Sequence, residues 1–283
     1  MRNVKAKSIK TTDNLHKIIV YFFLIVFSIF FLIPILWMIS TSLKSPEEIY
    51  RIKFAFLPTK LHWKNYVDAI TSIPYFKYIS NTLIVTVFCV IGQLFAAPLV
   101  AYSIAKIRWF GSKIVFMLII GTMFLPFQVT MIPVYMIYHK MGFVGTFLPL
   151  ILPSFFGYPL YIFLLRQFIV GIPDSLIEAA KIDGASEYKV YWKVILPLIK
   201  PALATVTIFT FLTSWSDFLG PLIYLNNENM YTLSLGLRQY LTAHSIAWGP
   251  LMAATTMFIV PTIIIYFFAQ KQFIEGIATT GGK

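Results

Sequence analysis

Asp217 is the one acidic residue that falls inside a long apolar stretch of this 283-residue chain, and Trp215 and Ser216 stand just before it. An ionisable group in such a place is by default a functional candidate. Two amides, Gln93 and Gln128, lie deeper in other apolar stretches. An amide turned toward hydrocarbon is costly, so both should face protein. The chemistry open to these groups is hydrogen bonding to a polar solute. Hydrolysis inside a membrane calls for paired carboxylates, a Ser–His pair or a metal cluster. Asp217 has no such company: His16, His62, His139 and His244 are scattered outside the apolar stretches. Cys89 is the single cysteine, which leaves no disulfide framework and no cysteine-based metal site. No catalytic residue and no metal site are expected. Gln93, Gln128, Trp215, Ser216 and Asp217 are the candidates for a translocation pathway. Each also has a plainer reading. Asp217 and Trp215 could sit at a membrane interface, the first as a snorkelling carboxylate and the second in an aromatic belt. The two amides could bridge neighbouring helices.

A second constellation is polar and lies in a loop. Residues 178–197 read EAAKIDGASEYKVYWKVILP. Ser175 followed three residues later by Glu178 fits a capping box, so Glu178 has a structural reading as a cap of its own helix. Gly184 supplies a left-handed position that ends this helix, and Ser186 is placed to cap the next. In that second helix Tyr188, Tyr191, Trp192 and Ile195 recur at helical spacing and should form an apolar face, with Lys189 and Lys193 opposite. Pro197 then obstructs helix continuation. One reading is an amphipathic helix lying on lipid, anchored by Trp192 and the lysines. The other is a knob for a soluble partner, which Ala179 and Ala180 favour because small residues allow close approach.

The elements that carry these groups are membrane spans. The chain is 58% hydrophobic and 12% charged, against about 25% charged for a soluble domain. About 20 apolar residues cross the hydrocarbon core, and six stretches qualify, at about 18–39, 82–104, 114–136, 147–165, 202–224 and 251–269. The first is too long for a signal-peptide core and no small-residue cleavage site follows it, so it is expected to be retained. Fifteen of the 23 Lys and Arg fall on one side of these spans, including Arg2, Lys106, Arg108, Arg166, Lys181 and Lys271, while Lys44, Lys53 and Lys140 are among those on the other. The positive-inside rule then places both termini and the 173–197 loop in the cytoplasm. The same flanking pattern accounts for the net charge of +12 without nucleic acid. Every span contains Pro or Gly, such as Pro34, Pro98, Pro126 and Gly157. Such breaks are tolerated in membranes where the freed backbone is buried in protein or lines a cavity, and six interrupted spans lean toward a transporter. Nothing resembles a channel selectivity filter.

The 178–197 loop resembles the coupling loop of the membrane subunits of ATP-binding-cassette importers. That motif is Glu-Ala-Ala, three residues, Gly, nine residues, Ile, any residue, Leu-Pro. Here Glu178, Ala179, Ala180, Gly184, Leu196 and Pro197 match, and Val194 replaces the Ile. Asn65-Tyr66, Asn81-Thr82, Pro126-Phe127-Gln128, Trp215-Ser216-Asp217, Pro221-Leu222 and Trp248-Gly249 are similar to the carbohydrate branch, although Ser216 stands where Asn is common. The chain is identified as similar to the second, six-span permease of sugar importers, the maltose-permease type.

That resemblance implies an all-α integral membrane protein of one permease domain, residues 1–283, multi-pass in a bacterial inner membrane. A helix-turn-helix coupling loop would lie between spans four and five. It implies alternating access with a second permease, two cytoplasmic ATPases and an extracytoplasmic solute-binding protein that delivers a di- or oligosaccharide. Glu178, Ala179, Ala180, Asp183, Gly184, Tyr188, Leu196 and Pro197 would meet the ATPase. ATP and Mg would be bound by that partner. This chain has no G-x-x-x-x-G-K-[ST] phosphate loop and is expected to hold no cofactor and to be no enzyme. The family's tail can insert between the ATPases, and Phe273 to Lys283, with Gly276, Gly281 and Gly282, is expected to be flexible enough for that or simply frayed. A permease for a polyol, glycerol phosphate, amino acid or metal is the alternative.

Overall fold

The computed structural model describes the backbone at residues 2–51, 55–241 and 246–280, and side chains at 16–51, 55–241 and 246–268. Lys53, His244 and the tail residues Gly281, Gly282 and Lys283 lie outside the described residues. The described backbone is helical, with no strand and one isolated bridge between Leu241 and Ile246. The helices are α1 Arg2–Ser42, α2 Pro46–Ile49, α3 Lys64–Thr71, α4 Tyr75–Lys106, α5 Ser112–Thr122, α6 Phe127–Lys140, α7 Leu148–Ile151 and α8 Pro159–Val170. There follow α9 Asp174–Ile182, α10 Glu187–Val190, α11 Leu196–Leu198, α12 Lys200–Trp215, α13 Leu219–Tyr224, α14 Leu233–Gly236 and α15 Trp248–Thr280.

Among the described residues four stretches are long and apolar enough to cross a membrane: His16–Ser42, Tyr75–Lys106, Leu148–Val170 and Trp248–Phe268. The number rises to six if each of two bent pairs is one span. The expected third span, 114–136, is no continuous helix: α5 and α6 meet at 104°. Pro126 has no N–H to continue α5 and biases Leu125 away from helical dihedrals, so the chain turns there and restarts at Phe127. The expected fifth span, 202–224, also stops short. α12 ends at Trp215, three residues intervene, and α13 is separate. At its other end α12 is bent by 76° from the preceding Glu187–Leu198 segment. The Leu148–Val170 stretch, the expected fourth span, includes a 3₁₀ turn at Leu152–Phe156 and a reversal at Gly157, whose φ of 81° suits glycine. The tail expected to be flexible is helical to Thr280.

The chain divides into two compact units. The first comprises Met1–Ser72 and Tyr240–Met257. Here Asn65 Nδ2 donates to the carbonyls of Ser42 and Lys44, at 2.9 and 2.8 Å. These carbonyls lie at the end of α1, where the helix leaves acceptors without intrahelical partners. Gly249 leaves room for this, since a Cβ there would lie 2.6 Å from Asn65 Oδ1. The flank of α1 from Ile18 to Phe31 is apolar and exposed, as suits a helix surrounded by lipid or other subunits.

The second unit comprises Ile73–Gln239 and Phe258–Lys283. Its core joins Ala97, Ala101 and Tyr102 of α4, Tyr161, Leu165 and Ile169 of α8, Ile177 of α9, and Ala202 and Val206 of α12. The alanines let helices approach closely, which in a bilayer is a main source of helix association. Asn81 Nδ2 donates to the carbonyls of Asn229 and Tyr231, each at 2.9 Å. Thr82 Oγ1 accepts from Leu233 N at 2.8 Å, satisfying a free donor at the start of α14. Asn81-Thr82 and Asn65 thus act as staples between elements.

Candidate functional site

α9 and α10 form a helical pair seated on the core of the second unit. Ile177, Val190, Tyr191 and Ile195 are buried in that core. The turn between the helices is a Schellman motif: Ala185 N donates to Ala180 O at 2.9 Å and Gly184 N to Lys181 O at 3.0 Å. Gly184 has φ 77°, and nothing stands within 4 Å of where its Cβ would be, so the turn is open to the outside. Ser186 caps α10 by accepting from Lys189 N at 3.4 Å, as expected.

Other expectations about this loop need correction. Ser175 is no cap: α9 starts at Asp174, after Pro173, with no side-chain cap bond. Lys106 explains the shift, because its Nζ donates to Ile172 O and Asp174 Oδ1, each at 2.6 Å, and so anchors the entry to α9. Glu178, freed from capping, is exposed. The expected apolar face of the second helix divides in two. Tyr191 and Ile195 turn inward, whereas Tyr188 is 71% exposed and Trp192 stands outside beside it, their rings 6.0 Å apart. The division follows a π turn at Tyr191–Ile195, closed by Leu196 N donating to Tyr191 O. An extra residue in the turn shifts the helical register between Val190 and Leu196. Pro197 sits two residues past this turn, inside α11, and the chain changes direction at Ile199 before Lys200-Pro201.

Exposed around the Gly184 turn are Glu178, Ala179, Asp183 and Tyr188, with Ala180 and Leu196 half-buried and Pro197 exposed. Ile182 is 86% exposed, an apolar side chain that the sequence reading did not single out. It lies two residues before Gly184 and is left almost uncovered by the described residues. A recess of about 440 Å³ opens beside the pair, lined by Gln167, Phe168, Pro173, Leu176 and Leu198 among others.

Glu187 ties the pair together. It accepts from Tyr102 OH at 2.7 Å and is ion-paired with Lys181. The Lys181 bond first, then the Tyr102 bond, hold its carboxyl below the usual glutamate range. A depressed folded pKa adds stability above the unfolded pKa, and this is lost as pH falls through the folded value. The α9–α10 pair should therefore loosen below the ordinary glutamate range. Cleavage within the α9–α10 pair by pepsin, a protease active in acid, should accelerate below the ordinary glutamate range relative to a cleavage site elsewhere, after correction for the protease's own pH profile. Glu187→Gln should remove most of that acceleration.

The five pathway candidates are not gathered into one site. Gln93 is buried in α4, and its Oε1 accepts from Tyr158 N at 3.1 Å, so it bridges α4 to the start of α8. Trp215 is 2% exposed, stacked between Phe211 and Phe258 at 5.2 and 5.3 Å, with Nε1 donating to Phe258 O at 3.1 Å. It packs helices together and is no belt residue. Gln128 is exposed. Ser216 is exposed and bonds back to Leu212 O at 2.6 Å. Asp217 stands in the gap between α12 and α13. Its Oδ1 accepts from Gly220 N at 3.1 Å, and its side chain lines a recess of about 350 Å³ with Phe127, Tyr138 and Tyr224. Tyr138 and Tyr224 were not singled out from sequence, and Phe127 entered only as part of the Pro126-Phe127-Gln128 resemblance. Among the described residues no group of His, Cys, Asp and Glu could hold a metal ion.

Residues 94–278 match the family described as binding-protein-dependent transport system inner membrane component. The chain is 33% identical over 253 residues to the arabinooligosaccharides transport system permease protein AraQ of Halalkalibacterium halodurans, covering 88% of this chain and 90% of that one. It is 31% identical over 264 residues to the probable starch degradation products transport system permease protein AmyC of Thermoanaerobacterium thermosulfurigenes, covering 93% and 96%. Its fold matches a chain in the crystal structure of a bacterial ABC transporter involved in the import of the acidic polysaccharide alginate, with TM-score 0.81, 27% identity, and coverage of 92% and 97%.

Proposed function

As the chain belongs to the binding-protein-dependent transport system inner membrane components, we propose that it is one of two permease subunits of an ATP-driven oligosaccharide importer. The sugar class rests on the relatives that carry arabinooligosaccharide and starch-product transport in their names. In this reading the α9–α10 pair is cytoplasmic, as are both termini. Two ATPases bind ATP and Mg and dock on the pair. Their closure rocks the spans by alternating access, after a solute-binding protein delivers the sugar from outside.

The observation that carries this reading is the build of the pair. Its inner face is bonded rigidly to the core through Ile177, Val190, Tyr191, Lys106 and Glu187. Its outer face leaves Glu178, Ala179, Asp183, Gly184 and Tyr188 uncovered around an open turn. A partner that pulls or pushes on the outer face moves α4, α8 and α12 together. Leu196 and Pro197 lie at its exit toward α12 and belong to the same lever. Gln128, Ser216 and Asp217 are assigned to the pathway side, while Gln93 and Trp215 hold the helices that frame it.

The reading is tested by affinity purification of the chain from its native membrane in mild detergent. Recovery of a second permease, an ATPase and a solute-binding protein is expected. Recovery of the folded chain alone would overturn it. In the assembled importer, Glu178→Lys should lower sugar uptake by about tenfold or more, the effect of losing about 1.4 kcal/mol of interaction. Wild-type uptake in that variant would remove Glu178 from the docking surface.

A further inference from the structure

Three separate interruptions of the helices open onto the recess that holds Asp217. Phe127 is the first residue of α6, just past the 104° bend. Leu150 lies on α7, which passes directly into the 3₁₀ turn Leu152–Phe156. Asp217 itself stands between α12 and α13. Discontinuous helices are the usual means by which transporters build a solute site within the bilayer.

The walls are organised. Tyr224 is stacked on Tyr135 at 6.0 Å and meets Tyr138 edge-on at 5.7 Å, which fixes two rings on one side. Asp217 uses Oδ1 to accept from Gly220 N. A Cβ on Gly220 would lie 2.4 Å from Asp217 Oδ2 and 3.0 Å from Leu150 Cδ2, so glycine is what lets the carboxylate lie where it does. Among the described residues no Lys, Arg or His lines the recess. Its volume, about 350 Å³, is within the roughly 300–1,000 Å³ of small-ligand pockets.

We infer that this recess is a saccharide subsite contributed by this subunit, selective for neutral sugars over uronates. The inference rests on the importer reading above. The carboxylate accepts from sugar hydroxyls, and Tyr138 and Phe127 offer ring surface to the apolar faces of the sugar, with the buried Tyr224 holding Tyr138 in place from behind. With no cation beside it, Asp217 repels a second carboxylate, and like charges set together against the wrong ligand are an effective means of discrimination. The bond from Gly220 N does not require the charge, since an Asn Oδ1 accepts from a backbone N–H as an Asp Oδ1 does.

The test is equilibrium binding to the assembled, detergent-purified transporter without its solute-binding protein, so that the binding protein's own selectivity plays no part. The probes are arabinotriose, maltotriose and trigalacturonate. The wild type should bind at least one of the neutral trisaccharides and reject trigalacturonate. Asp217→Asn should weaken the neutral sugar about tenfold, the size of a lost hydrogen bond to a charged acceptor, and should admit trigalacturonate. Tyr138→Leu should also weaken the neutral sugar, and it carries the test if Asp217→Asn fails to assemble. Unchanged affinities in both variants would overturn the inference, as would wild-type preference for trigalacturonate or binding of none of the three. An importer that still takes up oligosaccharides in those cases leaves the importer reading standing, whereas failure to assemble with partners defeats that reading instead.

Discussion

Gly184→Pro should abolish sugar uptake while the chain still inserts at the wild-type level. Gly184 holds φ 77°, and its N–H donates to Lys181 O at 3.0 Å. Proline is locked near −65° and has no N–H, so it can neither adopt the turn nor close it. An ordinary residue forced into the left-handed region costs about 1–3 kcal/mol. Proline cannot reach that region, and α9 would leave α10 at a different angle. The core contacts of Ile177 and Val190 belong to the two sides of this turn, so both cannot be kept. The outer face carrying Glu178, Ala179 and Tyr188 would lose its shape, yet no membrane-length helix is touched. Gly184→Asn is the control, because Asn tolerates the left-handed region better than other residues. Uptake by reconstituted importer, with insertion scored by quantitative blotting, decides the matter. Normal uptake in the proline variant would show that the turn plays no part in transmission.

Trp215→Ala should be the most destabilising single change within the second unit. The side chain is 2% exposed, stacked on both sides, and hydrogen-bonded to Phe258 O. In soluble cores Trp→Ala costs about 3–5 kcal/mol. Between helices in a bilayer the hydrophobic contribution falls away and close packing with hydrogen bonding remains, so the lower end, about 3 kcal/mol, is expected. The loss should appear as a markedly lower unfolding temperature of the detergent-purified chain. Trp215→Phe keeps a stacked ring and should give back all but about 1 kcal/mol, the net worth of one hydrogen bond. Equal loss in both variants would assign the stability to the Nε1 bond, and no loss in either would return Trp215 to the pathway.

The contrast between these two residues shows where sequence is informative. Gly184 was legible because a left-handed turn selects glycine locally, within the six residues from Ala180 to Ala185 that the turn's hydrogen bonds span. Ser186 was legible for the same reason. Trp215 was open to opposite readings, since a tryptophan near a span end suits an aromatic belt, a pathway or a packed interface equally. Only the neighbours Phe211 and Phe258 choose among them, and Phe258 lies 43 residues away in the chain. Ser175-Leu-Ile-Glu178 read as a capping box because the pattern is local, but Lys106, 68 residues before Asp174, sets where α9 begins. The bends at Pro126 and Pro201 arise from residues plain in the sequence. Their size and direction do not, because a proline removes one hydrogen bond and the packing of neighbouring helices determines the angle adopted afterwards.

By itself the sequence determined that this is a multi-span helical membrane protein and that a polar segment, Glu178 to Pro197, interrupts its apolar stretches with a glycine turn. Each of these depends on composition or on spacing within about two turns of helix, where covalent geometry and backbone hydrogen bonding dominate. The tertiary structure decided that Tyr191 and Ile195 face inward while Tyr188 and Trp192 face out, that Gln93 and Trp215 bind helices together, and that Asp217 shares a recess with Phe127, Tyr138 and Tyr224. Those outcomes depend on which distant surfaces meet. In a chain where nearly every helix face is apolar, hydrophobic periodicity no longer says which face is buried.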